Sequence, residues 1–145
     1  MDAALASLRE RYSIDENRIY ATGFSNGAAF TFLLWAERAD VFAAYAVVAG
    51  RLRPSVQPKV RRPMLHVAGV SDPQVTYPDQ RAAMVTAIGI NGVRNESERC
   101  GNGCMLYGRS TPAPVMTWTH QGGHEYPRGT SERIVEFFSD HQRRP

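Results

Sequence analysis

Apolar positions along the chain change period several times, and each change marks an element. Leu5, Leu8 and Tyr12 recur at helical spacing with Arg9, Glu10 and Arg11 between them, which predicts an amphipathic helix over Asp2 to Tyr12 packed on the rest of the chain. Ser13 to Asn17 is a polar turn, and Arg18 to Thr22 reads as a strand. From Ala28 to Arg38 the apolar residues Phe30, Phe32, Leu33, Leu34 and Trp35 go nearly all the way round, which predicts a helix buried on most sides. Phe42 to Ala49 is apolar without alternation, the pattern of a parallel strand covered on both faces. A polar, proline-punctuated loop from Gly50 to Arg62 leads into a third strand, Pro63 to Val70. Pro78 opens a helix to about Ile88 with Asp79 as its N-cap. Asn91 to Gly103 is loop-like, Met105 to Arg109 a short edge strand, and Val115 to Thr119 a last buried strand. Thr130 or Ser131 then caps a closing helix whose apolar face is Ile134, Phe137 and Phe138. Strands alternating with helices predict one α/β domain over residues 1–145, with a mainly parallel sheet and flanking helices.

The predicted strand ending at Thr22 runs into Gly23-Phe24-Ser25-Asn26-Gly27 and then into the apolar helix. Gly-x-Ser-x-Gly between a strand and a helix is the pattern of a nucleophile elbow, in which a serine sits at the tip of a sharp, strained turn. Large side chains two positions away would clash there, so Gly23 and Gly27 are expected to remove the clash. The start of the helix aims backbone N–H groups, that of Asn26 first, at the space beside the Ser25 hydroxyl, where an oxyanion would be held. An alcohol is a weak nucleophile, so Ser25 needs a base, and the base needs an acid group to orient it. Asp72 directly follows a strand, whereas Asp40 and Asp79 lie where a helix end and a cap would put them, so Asp72 is the preferred acid. His66 falls inside a strand and reads as a packed side chain, and His141 falls on the last helix. Of the two remaining, His124 is preferred to His120 because Gly122 and Gly123 leave its loop free to carry the ring over Ser25.

Composition narrows the partners. A hydrophobic content of 43% with 21% charged residues is that of a globular chain, and 17 basic against 14 acidic side chains leave a charge of +3. That excess is spread through Arg51, Arg53, Lys59, Arg61, Arg62 and the terminal Arg143-Arg144 without interleaved aromatics, so nucleic acid is not an expected partner. The longest apolar run, Ala43 to Ala49, falls far short of the ~20 residues that span a bilayer. No basic region followed by an apolar stretch opens the chain, so no export signal is expected in it. Cys100 and Cys104 flank Gly101-Asn102-Gly103, a loop flexible enough for a local disulfide, with two free thiols as the alternative; a zinc site would want four ligands, and no further His or Cys pair stands nearby.

The run Ile14 to Ala29, with Asp15-Glu16-Asn17-Arg18-Ile19-Tyr20-Ala21-Thr22-Gly23-Phe24-Ser25-Asn26-Gly27 at its centre, is one of several joined by the same resemblance. The others are Phe42-Ala43-Ala44, Val48-Ala49-Gly50, Asp72-Pro73 and Gly122 to Pro127. Together they resemble the poly(3-hydroxybutyrate) depolymerase-like and feruloyl (acetylxylan) esterase family of α/β-hydrolases, in its carboxy-terminal part. The order Ser, Asp, His along the chain is that of this fold. The resemblance implies an α/β-hydrolase fold and a serine esterase acting on small or polymeric carboxylic esters through an acyl-enzyme. It makes Ser25 the nucleophile, Asp72 the acid and His124 the base, with no metal or organic cofactor, and it implies an extracellular or periplasmic setting. Ala28, Phe30 and Tyr126 depart from the usual family residues. The family's strands ahead of the elbow strand, and the second oxyanion donor they supply, have no counterpart before Arg18. The elbow strand is therefore expected to be an apolar sheet edge open to pairing, with Asn26 as sole oxyanion donor, a loss worth about 10²–10³ in rate. Two alternatives follow: a catalytically impaired hydrolase fragment or binding module, and a peptidase of the prolyl-oligopeptidase kind.

Overall fold

The expected strands come together, with one more that was not expected, in one six-stranded sheet in the computed structural model, which describes residues 1–143; Arg144, one of the spread basic residues, lies outside the described residues. The strands are β1 (Tyr20–Phe24), β2 (Ala44–Val48), β3 (Met64–Gly69), β4 (Ser97–Gly101), β5 (Cys104–Tyr107) and β6 (Val115–His120). The helices are α1 (Asp2–Arg11), α2 (Asn26–Glu37), α3 (Tyr77–Asn91) and α4 (Thr130–Ser139). The sheet order is β1-β2-β3-β6-β5-β4, with the first four strands parallel and the β6-β5-β4 pairs antiparallel.

β2 and β3 are buried at every position because helices cover both faces of the sheet. On one face Tyr45, Val47, Met64 and Val115 pack with Phe32 and Trp35 of α2 and with Ala83, Ala87 and Ile88 of α3. On the other, Ala44, Ala46, Val48, Leu65 and Val67 pack with Ile134 and Phe137 of α4. Polar ties hold the long connection before β3: Trp35 Nε1–H donates to the Val60 carbonyl at 2.8 Å, and the Asn91 side chain both donates to and accepts from the Arg62 backbone.

Several expectations need correction. Helix α1 buries none of its residues; Leu8 and Tyr12 are exposed and only Leu5 reaches the core, because α2 and α3 already fill that face of the sheet. Helix α2 is apolar all round but not buried all round, since Phe30 is 52% exposed and Leu33 is also open to solvent. The segment read as loop from Asn91 to Gly103 contains β4, an exposed strand held by its pairing with β5; without alternation its sequence carries no strand signal. That pairing makes β5 an interior strand rather than an edge. β6 is only partly buried, Val115 and Thr117 facing the core. Thr76, not Asp79, caps α3: its hydroxyl oxygen accepts from Asp79 N–H and donates to the Asp79 carboxylate. The cap of α4 is Gly129 in the left-handed region, and not Thr130 or Ser131. Cys100 and Cys104 form a disulfide across the β4–β5 turn.

Candidate active site

Strand β1 delivers its last residue, Phe24, against Val48 of β2, and the next N–H, that of Ser25, still donates to the Val48 carbonyl at 2.9 Å. The chain then turns sharply into α2. Ser25 takes φ 55° and ψ −111°, a conformation that costs a non-glycine residue on the order of 1–3 kcal/mol and is kept where the surroundings over-determine it. Gly23 makes the turn feasible: a Cβ there would overlap the backbone carbonyl of Gly27. Gly27 itself is not required sterically, since a Cβ at that position meets open space; only one of the two elbow glycines removes a clash. Asn26 is the first residue of α2, so its backbone N–H belongs to the helix end that has no intrahelical acceptor.

Two further loops leave the sheet at the same end, from β3 and β6, which are parallel to β1. They zip together. Val70 N–H donates to the His120 carbonyl at 2.9 Å and Ser71 N–H to the Gly122 carbonyl at 3.1 Å. Gly69 allows the approach, because a side chain there would run into the carbonyl oxygens of Gly122 and Gly123. The zipper sets Asp72 beside His124. His124 Nδ1 lies 2.8 Å from Asp72 Oδ2, and His124 Nε2 lies 2.9 Å from Ser25 Oγ.

The Asp72 side chain is wholly buried. Burial opposes its charge, but hydrogen bonds from His124 and from the backbone N–H groups of Val75 and Gln74 outweigh burial and hold the carboxyl below its ordinary range. The carboxylate is thus poised to orient the Nδ1–H tautomer of His124, leaving Nε2 as acceptor toward Ser25. His120 ends elsewhere: its Nδ1 accepts from Gly122 N–H, 3.6 Å from a Glu125 carboxylate oxygen. His66 is buried within β3, and His141 Nδ1 sits 2.6 Å from the Phe137 carbonyl. Asp40 and Asp79 are exposed, the first beside Arg38 and the second in the first turn of α3.

Two neighbours, Gln80 and Phe24, had no role in the reading of the sequence, and a third, Tyr126, entered it only as a departure from the family residue. Gln80, wholly buried on α3, donates from Nε2 to Asp72 Oδ2 at 3.1 Å and to the Val75 carbonyl at 2.8 Å. Its signal was present: it stands three residues before Ala83 on the face that also carries Met84 and Ala87, a polar residue in an apolar register. Phe24 packs beside the imidazole, its ring centre 5.0 Å from that of His124, and Tyr126 packs edge-on against Phe24 at 6.3 Å. A cavity of about 930 Å³ opens at the opposite end of the sheet between Arg18, Arg61, Arg62 and Arg109, away from Ser25. Among the described residues, no three His, Cys, Asp or Glu side chains gather as metal ligands would.

No family model matches the chain. It is 35% identical over 74 residues to the bifunctional acetylxylan esterase/xylanase XynS20E of Neocallimastix patriciarum, a match covering 48% of the chain and 11% of that protein. The solved acetyl xylan esterase from Aspergillus awamori superposes with a TM-score of 0.71 at 16% identity, covering 94% of this chain and 66% of the other. The Bacillus cereus carboxylesterase superposes with a TM-score of 0.68 at 19% identity, covering 94% and 56%. The chain thus spans less than two thirds of each of these proteins. It has the α/β-hydrolase fold, and each of these three proteins carries an esterase in its name.

Proposed function

We propose that the chain is a carboxylic-ester hydrolase in which Ser25 is the nucleophile, His124 the general base and acid, and Asp72 the group that orients His124. The observation that carries this reading is the unbroken line from Ser25 Oγ through both nitrogens of His124 to the buried Asp72 carboxylate. His124 Nε2 takes the Ser25 proton as Oγ attacks the ester carbonyl, and the tetrahedral oxyanion faces the N–H of Asn26 at the start of α2. Collapse breaks the bond to the alcohol, which leaves with the proton from His124, and the acyl group stays on Ser25. Water, deprotonated by His124, then releases the acid and restores the serine. Asp72 keeps its charge throughout and steadies the imidazolium.

The substrate belongs to the carboxylic esters, small or polymeric, as the esterase relatives suggest. The test is reaction of the purified chain with a fluorophosphonate probe, together with hydrolysis of p-nitrophenyl acetate. Ser25 is expected to carry the adduct, and Ser25→Ala and His124→Ala to abolish it. Asp72→Asn, which offers His124 the wrong tautomer, is expected to lower kcat about 10⁴-fold. A folded chain that neither labels nor hydrolyses, or whose Ser25→Ala variant labels equally well, overturns the reading in favour of a binding module.

A further inference from the structure

The side chain beyond Asp72 does not end the polar line. Gln80 Nε2 has two acceptors, Asp72 Oδ2 and the Val75 carbonyl, so the orientation of the amide is fixed and its Oε1 must face the other way. Oε1 is buried there without a hydrogen-bond partner. His66 Nε2 is likewise buried and unpartnered, and the Gln80 side chain lies close enough to the ring to favour its protonated form against burial. One orphan is an acceptor and the other accepts or donates according to tautomer. An unpaired buried polar group costs on the order of 1–3 kcal/mol, so two complementary orphans in one place are far better explained as partners than as independent losses.

We propose that His66 and Gln80 are positioning residues for Asp72: His66 Nε2–H donates to Gln80 Oε1, which locks the amide so that its Nε2 holds the very carboxylate oxygen that receives His124 Nδ1–H. The proposal rests on the esterase reading of Ser25, His124 and Asp72 and extends it into the core, making a line from β3 through α3 to the serine. The surroundings of His66 suit a neutral ring. Across the sheet it stands between Val47 and Thr117, Phe32 of α2 packs at 6.0 Å between ring centres, and Gln80 comes from α3. None of these is charged, and Asp72 lies behind Gln80. Burial pushes the imidazole down to about 4, so near neutrality the ring carries a single N–H. The backbone of Gly50, on which the ring also bears, competes with Gln80 for that proton. The tautomer therefore decides the case.

The consequence at the site has a definite sign. Each donor on Asp72 draws charge away from the bond to His124, so removing the Gln80 donor concentrates charge on Oδ2 and raises the midpoint at which His124 takes up a proton. The experiment is a ring-¹⁵N NMR titration of the whole chain and its Gln80→Leu, His66→Leu and His66→Gln variants, paired with the pH profile of p-nitrophenyl acetate hydrolysis. The wild-type His66 is expected to carry its proton on Nε2. Gln80→Leu is expected to raise the His124 midpoint by about half a unit and move the acid limb of kcat with it, leaving KM within about twofold. His66→Leu should do the same to a smaller extent, and His66→Gln, whose amide can still donate, should return toward wild type. A His66 proton on Nδ1, or a His124 midpoint unmoved by Gln80→Leu while only the melting temperature changes, overturns the proposal. If the wild type hydrolyses nothing and does not label, the esterase reading fails, and the NMR midpoints of His124 still decide for or against the relay.

Discussion

Gly23 and Gly27 flank Ser25 symmetrically in sequence and unequally in space. The Gly27 carbonyl occupies the site of a Cβ on residue 23, whereas a Cβ on residue 27 would enter solvent. Gly23→Ala must therefore push the elbow apart, at a cost of about 1–3 kcal/mol as for other overpacked positions, and should lose probe labelling. Gly27→Ala, in the first turn of α2, should be neutral or stabilise by up to ~1 kcal/mol. Urea unfolding of the two variants decides it, and equal losses would contradict this account. Sequence spacing alone could not separate the two glycines, because the difference lies in which backbone atom the turn folds onto which neighbour. His66 illustrates a second residue-scale effect. Its ring titrates near 6.5 when unfolded and only at about 4 in the core. Between these values the unfolded chain binds a proton that the folded chain refuses. Stability therefore falls as pH drops through that window, by up to about 3 kcal/mol, and is unaffected by this group above it. His66→Leu should flatten that slope, measured as the change in urea midpoint between pH 7 and pH 4.5.

Elements whose signal is burial were legible in the chain, and elements whose signal is pairing were not. The continuous apolar run Tyr45-Ala46-Val47-Val48 announces a strand covered on both faces, and the Ser25 turn is announced by its glycines; β2 and the elbow were readable for that reason. β4, Ser-Glu-Arg-Cys-Gly, is exposed at all but one position, so nothing in its composition separates it from loop. Its order comes from the ladder to β5 and from the Cys100–Cys104 bridge. The caps of α3 and α4 fell one to three residues from their expected positions because the Thr76 hydroxyl and the left-handed backbone of Gly129 act locally at the helix ends rather than through apolar period. Likewise, Asp72 and His124 could be picked out by loop position, but Gln80 was hidden in a helix. The dependence of β4 on the bridge is measurable. Closing so short a loop is worth about 2 kcal/mol in the chain-entropy account. Reduction should therefore lower overall stability by no more than that, and hydrogen exchange should quicken in β4 while β2 and β3 stay protected. Fluorophosphonate labelling of Ser25 should be unchanged, since the bridge lies beyond β5 from the site. Loss of protection in β2 on reduction would contradict this ordering.

At the scale of the whole molecule the two edges of the sheet are built differently. β4 carries Glu98 and Arg99, an irregular register between Arg99 and Gly101, and a disulfide, all devices that discourage a further strand. β1, Tyr-Ala-Thr-Gly-Phe, has no charge, no proline and no bulge, and among the described residues it pairs only with β2. Phe24 at its end and Phe30 and Leu33 of α2 are exposed, and Leu8 of α1 and Tyr12 just after that helix add to the apolar surface of the molecule. An uncharged edge strand next to exposed aromatic residues is a template for another strand, and in a solution of the chain alone the available strand is β1 of a second copy. Association is therefore expected to rise with concentration in sedimentation velocity. Thr22, in the middle of β1 and exposed, is the place to block it. Thr22→Lys puts a charge on the edge without touching Ser25, His124 or Asp72, and should hold the chain monomeric across the same concentrations while labelling at Ser25 persists. A wild type that stays monomeric throughout, or a variant that associates as readily, would show that β1 is shielded in solution and that its open edge does not govern the behaviour of the molecule.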